Sequence, residues 1–245
     1  MNTWIITGAT RGLGRALAER LLDAGYAVAF CARDTEAVRN AEHELSARGP
    51  VAGISGSVTD PTLWPRLVDH ALALGDLKGL VLNAAVLGDP PTSPVLKLDA
   101  DNLRHVLEIN LLGCLQALKA CHVHLTAHPQ PRVLALTSDA SSGAYPGWAG
   151  YGLSKAALEL MLLTYAAENP GVGTYVVDPG DMDTRLHRMA LPDDTSPLRD
   201  PKSVAHALVR LLEAPASASG RWILEPREDG FDPKEVHAHD SQVFD

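Results

Sequence analysis

The sequence predicts an α/β fold: a doubly wound parallel sheet of about seven strands with helices on both faces. Three observations carry that expectation. Short apolar runs alternate with longer segments of helical periodicity along most of the chain. Each apolar run is near-continuous, as in a strand buried on both faces. A glycine-rich turn stands between the first apolar run and the first helical segment.

Thr3 to Thr7 reads as the first strand. The helix after the turn carries Leu13, Leu17 and Leu21 on one face and stops at Gly25. Tyr26 to Cys31 is the second strand. Asp34 caps a helix that runs to Arg48, with Gly49-Pro50 as its stop. Val51 to Ser55 (strand), about Asp60 to Leu74 (helix) and Gly79 to Leu82 (strand) follow. A long helix is predicted over about Asp101 to Ala127, then strand Arg132 to Thr137, helix Gly150 to Glu168 and strand Thr174 to Val177. Residues 181–200 are rich in Asp, Pro, Met and Arg and read as an irregular excursion. A last helix (about Pro201 to Glu213) and strand (Arg221 to Leu224) complete the sheet, and the polar tail 226–245 reads as loose.

A chain of 245 residues can bury one large core, and no linker divides it, so one domain over 1–245 is expected. The net charge of −9 repels phosphate backbones and anionic surfaces, which argues against nucleic acid and membrane partners. No signal peptide is legible, and no uninterrupted apolar run approaches the roughly 20 residues of a membrane span. A cytoplasmic location is the expectation. Cys31, Cys114 and Cys121 are too few and too scattered for a disulfide framework and read as reduced, structural thiols. The histidine groups His122, His124, His128 and His237, His239 lack zinc-like spacing, so no metal is expected.

The turn reads Thr7-Gly8-Ala9-Thr10-Arg11-Gly12-Leu13-Gly14. Glycines there allow a tight turn and let the backbone approach a pyrophosphate, while the helix start offers free N–H groups and the positive end of its dipole. Candidate cofactor-holding residues are Gly8, Thr10, Arg11, Gly12, Leu13 and Gly14. The spacing is G-x-x-x-G-x-G. Further along, Tyr151-Gly152-Leu153-Ser154-Lys155 places a Tyr and a Lys one turn apart on one helix face, thirteen residues after Ser138 at the end of a strand. In this combination the chain resembles the short-chain dehydrogenase/reductase family, over roughly residues 1–225.

The resemblance implies a Rossmann-like fold that binds NAD(P) and transfers a hydride between nicotinamide and a ketone, aldehyde or secondary alcohol. By the family's pattern Ala32 stands where NAD enzymes carry an acid and Arg33 where NADP enzymes often carry a base. Arg33 and Arg11 together suit a 2′-phosphate, so NADP(H) is the preferred cofactor. The competing reading has Asp34 take the ribose, with NAD(H) as cofactor. Asn83-Ala84-Ala85 is similar to the family's segment beside adenine and ribose, and Ser57-Val58 stands where the family usually has Asp-Val. Asp178-Pro179-Gly180-Asp181-Met182-Asp183-Thr184 resembles the nicotinamide-side segment, with Pro179, Gly180, Met182 and Thr184 as contacts.

A hydride added to a carbonyl leaves an oxyanion that must be protonated. The resemblance makes Tyr151 that acid, and the base in reverse. Tyrosine titrates near pKa about 10, so lowering it by about three units takes roughly 4 kcal/mol. A lysine cation about 4 Å away at an effective dielectric near 20 supplies about that much. Lys155 is therefore expected to lower the phenol's pKa and, by the resemblance, to hold the nicotinamide ribose beside Tyr151. Ser138 is expected to hydrogen-bond the substrate oxygen. Asn110 matches the family's fourth catalytic member, which orders a relay water; a satisfied buried amide is the equal alternative. Leu87, Tyr145, Trp148, Leu186, Met189 and Leu191 are candidate pocket residues around a small carbonyl or alcohol substrate. A homodimer or homotetramer through the helices at about 101–127 and 150–168 is implied by the family. The reading from a different class is an NADP(H)-binding sensor or scaffold without turnover.

Overall fold

The computed structural model describes residues 1–214, 219–227 and 230–236. Its strands are β1 (Asn2–Thr7), β2 (Ala27–Ala32), β3 (Val51–Ser55), β4 (Asp76–Leu82), β5 (Arg132–Leu136), β6 (Gly173–Asp178), β7 (Gly220–Arg227) and β8 (Gly230–Val236). The helices are α1 (Gly12–Asp23), α2 (Thr35–Ser46), α3 (Leu63–Leu74), α4 (Ala100–Leu107), α5 (Gly113–Ala127), α6 (Ala149–Glu168), α7 (Arg185–Ala190) and α8 (Pro201–Glu213). They build one sheet in the order β3-β2-β1-β4-β5-β6-β7-β8. Neighbours from β3 through β7 pair in parallel, and β7 pairs with β8 antiparallel.

Side-chain alternation in β1 shows how the sheet is covered. Trp4 and Ile6 sit in a core with Leu13, Leu17 and Leu21 of α1, Val38 and Leu45 of α2, and Leu208 and Leu212 of α8. Ile5 points the other way, into a core with Leu67 of α3, Leu118 and Leu125 of α5, and Leu158 and Leu162 of α6. A strand covered on both faces must be apolar throughout, which is why these runs do not alternate. The order reverses between β1 and β4. Crossovers on opposite faces part there and leave a crevice at the carboxyl ends of the strands.

Four expectations need correction. The sheet has eight strands, because the segment read as a loose tail adds β8 along the free edge of β7. Periodicity hid it: Phe231, Asp232, Pro233, Lys234 and Glu235 do not look like a strand until an open edge offers them partners. Residues 228–229 and 237–245, with His237 and His239, lie outside the described residues. The long helix is broken by a π turn, Glu108–Leu112, between α4 and α5. The excursion 181–200 contains α7, capped by Thr184, whose Oγ1 accepts the His187 N–H at 3.3 Å. Finally, Ala100–Ala127 is long and apolar enough by composition to cross a membrane; its Ile109, Cys114, Ala117, Leu118, Cys121 and Leu125 are buried in the core.

All three cysteines are free and buried. Burial pushes the thiols of Cys31 and Cys121 up to about 12 and that of Cys114 to about 11, which keeps them protonated and unreactive. Among the described residues no group of three or more His, Cys, Asp or Glu side chains is arranged to hold a metal.

Candidate active site

The glycine turn lies at the reversal of strand order. Gly8 has φ +76°, open to glycine at little cost. A Cβ on Gly14 would stand 2.3 Å from the Gly8 carbonyl oxygen and 2.5 Å from Asn83 Nδ2. Only hydrogen fits there, so α1 starts directly against the loop. No side chain caps α1 and its first turn holds no acid. Its free N–H groups and positive end are therefore open to an anion.

Asn83 lies where the sequence expected it but acts on the protein. Its Nδ2 donates to the carbonyls of Thr7 (2.8 Å) and Gly8 (3.0 Å), which fixes the turn. Thr7, which sequence reasoning passed over, is the other half of this tie. Its Oγ1 accepts the N–H groups of Asn83 and Ala84 at 2.9 and 3.0 Å. Val58 and Ala84 line a small cleft with Thr7, Leu82, Ile109 and Gly113, the adenine side of the predicted site. Ala85 is half-buried beside them. Ser57 is turned to its own loop, Oγ against Thr59 Oγ1 at 2.8 Å.

Arg11 and Arg33 are both exposed, and neither makes an ion pair or side-chain hydrogen bond among the described residues. Asp34 is engaged: its Oδ1 accepts the Ala37 N–H at 2.9 Å as the cap of α2. Thr10 is half-buried in the turn and Leu13 is buried beneath it. Across the crevice, a Cβ on Gly12 would lie 3.6 Å from Thr184 Cγ2, so the structure brings the two ends of the predicted cofactor site together.

The Pro179-Gly180 segment is held from below. Arg199 Nη1 donates to the carbonyls of Pro179 (2.8 Å) and Leu224 (2.9 Å), and its guanidinium lies 4.5 Å from the centre of the Phe231 ring on β8. Arg199 also bridges to Met182 through the backbone. No local signal marks this role, because the partners lie 20 and 25 residues away.

Tyr151 and Lys155 are 7% and 3% exposed, and the lysine Nζ stands 5.5 Å from the centre of the tyrosine ring. Lys155 donates to the Leu136 carbonyl at 2.8 Å. Burial pulls its pKa down to about 8, opposed by Cys114 and Glu159. Tyr151 departs from expectation. Burial first, then the charges of Asp178, Asp139 and Asp181, push its pKa above the ordinary phenol value. The lysine lies against the ring and bonds a carbonyl, so in this arrangement burial and the carboxylates dominate.

Ser138 caps the start of a 3₁₀ turn, Asp139–Ser141, donating to Asp139 Oδ1 at 2.9 Å and accepting the Ala140 N–H at 3.2 Å. Asn110 is buried in the π turn. Its Oδ1 accepts the Val86 N–H and its Nδ2 donates to the Val86 carbonyl and Ser154 Oγ, each at 2.9 Å. Ser154 in turn donates to the Tyr151 carbonyl at 2.7 Å. The amide is thus satisfied and ties the Val86 backbone to α6 through Ser154. Of the pocket candidates, Leu87, Trp148 and Leu186 pack with Tyr151, joined by Ala140 and Ala190. Tyr145, Met189 and Leu191 are exposed.

A doubly wound sheet with an uncapped, glycine-led helix at its reversal point, and a buried Tyr–Lys pair across the crevice, belongs to the class of dinucleotide-binding oxidoreductases. The description "short chain dehydrogenase" matches residues 2–194, and the chain belongs to that family. It is 33% identical over 189 residues to the 1-deoxy-11-beta-hydroxypentalenate dehydrogenase of Streptomyces exfoliatus, covering 74% of this chain and 68% of that one. It is 29% identical over 239 residues to the glycine betaine reductase of Emericella nidulans, covering 92% of this chain but only 19% of that much longer protein. Among solved structures, the alcohol dehydrogenase of the archaeon Thermococcus sibiricus, complexed with 5-hydroxy-NADP, superposes with a TM-score of 0.82 at 28% identity, covering 93% of this chain and 99% of that one. The chain is therefore an oxidoreductase of the family that binds NAD(P) and acts on CH–OH or carbonyl groups.

Proposed function

We propose that the chain is one NADP(H)-dependent catalytic domain that reduces a ketone or aldehyde, with Tyr151 as proton donor. The observation that carries this reading is the buried Tyr151, whose hydroxyl makes no hydrogen bond among the described residues, while its pKa is raised. A phenol held protonated is a proton donor across the neutral range, which suits reduction. The nicotinamide, when bound, supplies the hydride. Tyr151 gives its proton to the substrate oxygen, and Ser138 turns its hydroxyl from Asp139 to the same oxygen. Lys155 has three N–H donors and spends one on Leu136. The other two are available to ribose hydroxyls, and its charge offsets the developing oxyanion.

The free guanidiniums of Arg11 and Arg33, set against the engaged carboxylate of Asp34, favour NADP(H) over NAD(H). The 5-hydroxy-NADP in the archaeal relative supports the same choice. Thr184, Met182, Gly180 and Pro179 line the nicotinamide side. Leu87, Trp148, Leu186 and Ala190 receive a small, largely apolar carbonyl compound. A homodimer or homotetramer follows from exposed apolar residues on α5 and α6.

The test is oxidation of NADPH and NADH against a panel of ketones and aldehydes. Tyr151→Phe is expected to lose about 10²- to 10⁴-fold in kcat with NADPH binding retained. Arg11→Ala with Arg33→Ala is expected to weaken NADPH at least about tenfold and leave NADH unchanged. An NADH preference in the wild type would overturn the cofactor reading. Tight NADPH binding with no turnover on any substrate would favour the sensor.

A further inference from the structure

A buried carboxylate outside the Ser–Tyr–Lys set joins the parts of the site. α6 carries Tyr151, Lys155 and Glu159 four residues apart, hence on one face. The Glu159 side chain is 13% exposed. One of its oxygens, Oε1, accepts from Thr137 Oγ1, from Ser141 Oγ and from Arg221 Nε at 3.3 Å. Ser141 closes the turn that begins at Ser138, and Thr137 immediately precedes it. Arg221, on β7, reaches on to Asp178 Oδ2 at 4.0 Å, and Asp178 Oδ1 accepts the Gly180 N–H at 2.9 Å.

Burying a carboxylate is costly unless donors surround it. Here three donors come from two segments, the connection 137–141 and β7. An apolar residue at 159 would fill the space but take from Thr137 its hydroxyl's partner and leave Ser141 with the Ser138 carbonyl and Arg221 with Asp178. The carboxylate's gain is therefore one of placement. It joins the serine-bearing turn, the tyrosine–lysine helix and, through Arg221, the Pro179-Gly180 segment. Catalytic groups need such support, since displacement by about an ångström costs on the order of 10²-fold in rate.

We propose that Glu159 is a positioning residue for carbonyl reduction: it fixes Ser138 relative to Tyr151 and Lys155 and sets the charge environment of Lys155. The inference rests on the catalytic reading above. The electrostatics agree. Burial depresses Lys155, while Cys114 on α5 and Glu159 on α6 act to keep it charged. Cys114 is itself held protonated by burial, which leaves Glu159 as the charged group of the two. Asp178, Asp139 and Asp181 act on Tyr151, and Arg221 on β7 offsets part of the Glu159 charge.

The experiment compares wild type, Glu159→Gln, Ser141→Ala and Tyr151→Phe by NADPH titration, kcat and KM for one carbonyl substrate, and pH profile. Glu159→Gln keeps the shape and removes the charge. It is expected to bind NADPH within about threefold of wild type, to lose on the order of 10- to 100-fold in kcat, and to move the basic limb of the profile to lower pH. Ser141→Ala removes the hydroxyl that lies against both Glu159 and the Ser138 carbonyl but keeps the charge, so kcat falls several-fold, by the order of one hydrogen bond, and the limb stays in place. Glu159→Gln with wild-type kcat, or with lowered kcat and an unmoved limb, overturns the proposal. If Glu159→Gln does not fold, a folded Ser141→Ala with wild-type kcat overturns it. Tyr151→Phe that remains active defeats the catalytic reading itself, whatever residue 159 does.

Discussion

Lys155 shows what burial does to a lysine cation. Its Nζ lies under the Tyr151 ring, holds the Leu136 carbonyl, and titrates near about 8. The sign of the pH dependence follows. Below about 8 the lysine is charged and, in the proposed mechanism, steadies the developing oxyanion; above it the charge is lost. Tyr151 stays protonated through this range because its pKa is raised. We expect kcat/KM for carbonyl reduction to fall as pH rises through about 8, with no matching fall in NADPH-free fold stability by circular dichroism. A profile flat to pH 10 would show that the lysine charge does not limit the rate. Asn110 teaches the companion lesson. A buried amide with both N–H groups spent on Val86 and Ser154 is a tie to α6.

At the scale of an element, the start of α1 is decided by what cannot be added to it. The helix meets the β1 loop closely enough that a methyl group on Gly14 would collide with backbone at Gly8 and with Asn83, the side chain that holds the turn. Overpacking of this kind costs typically about 1–3 kcal/mol. Gly14→Ala is expected to lower Tm by several degrees and to weaken NADPH binding by about tenfold or more. Titration that shows wild-type affinity in this variant would mean the turn is not the pyrophosphate site. β8 is the opposite case. It exists because β7 would otherwise leave a row of unpaired backbone groups, and Phe231 on it backs the Arg199 guanidinium under Pro179.

Over the whole molecule, several large apolar side chains stay outside the cores, and a group of them lies on α5 and α6. Leu160 is 70% exposed, Val123 64% and Leu153 55%, on α6, α5 and α6 respectively. Exposed residues of this size on neighbouring helices mark a surface that gains by being covered. Light scattering is expected to give a dimer or tetramer at micromolar concentration, and Val123→Glu with Leu160→Glu to shift it towards monomer. A wild-type monomer there would end the oligomer reading. The net charge of −9 spreads repulsion over the remaining surface.

The sequence by itself determined the alternation of strands and helices, the parallel sheet, the position of the glycine turn and the spacing of Ser138, Tyr151 and Lys155. These are local properties: periodicity, turn residues and short offsets are written in consecutive letters. The tertiary structure decided the rest. β8 needed the open edge of β7, and the π turn needed Asn110 to find Val86 and Ser154. Arg199, Thr7 and Glu159 drew their roles from partners 18 to 77 residues away. The tyrosine's pKa reversed its expected direction because burial, and after it carboxylates distant in sequence, act on it, and both depend on what lies near in space rather than along the chain.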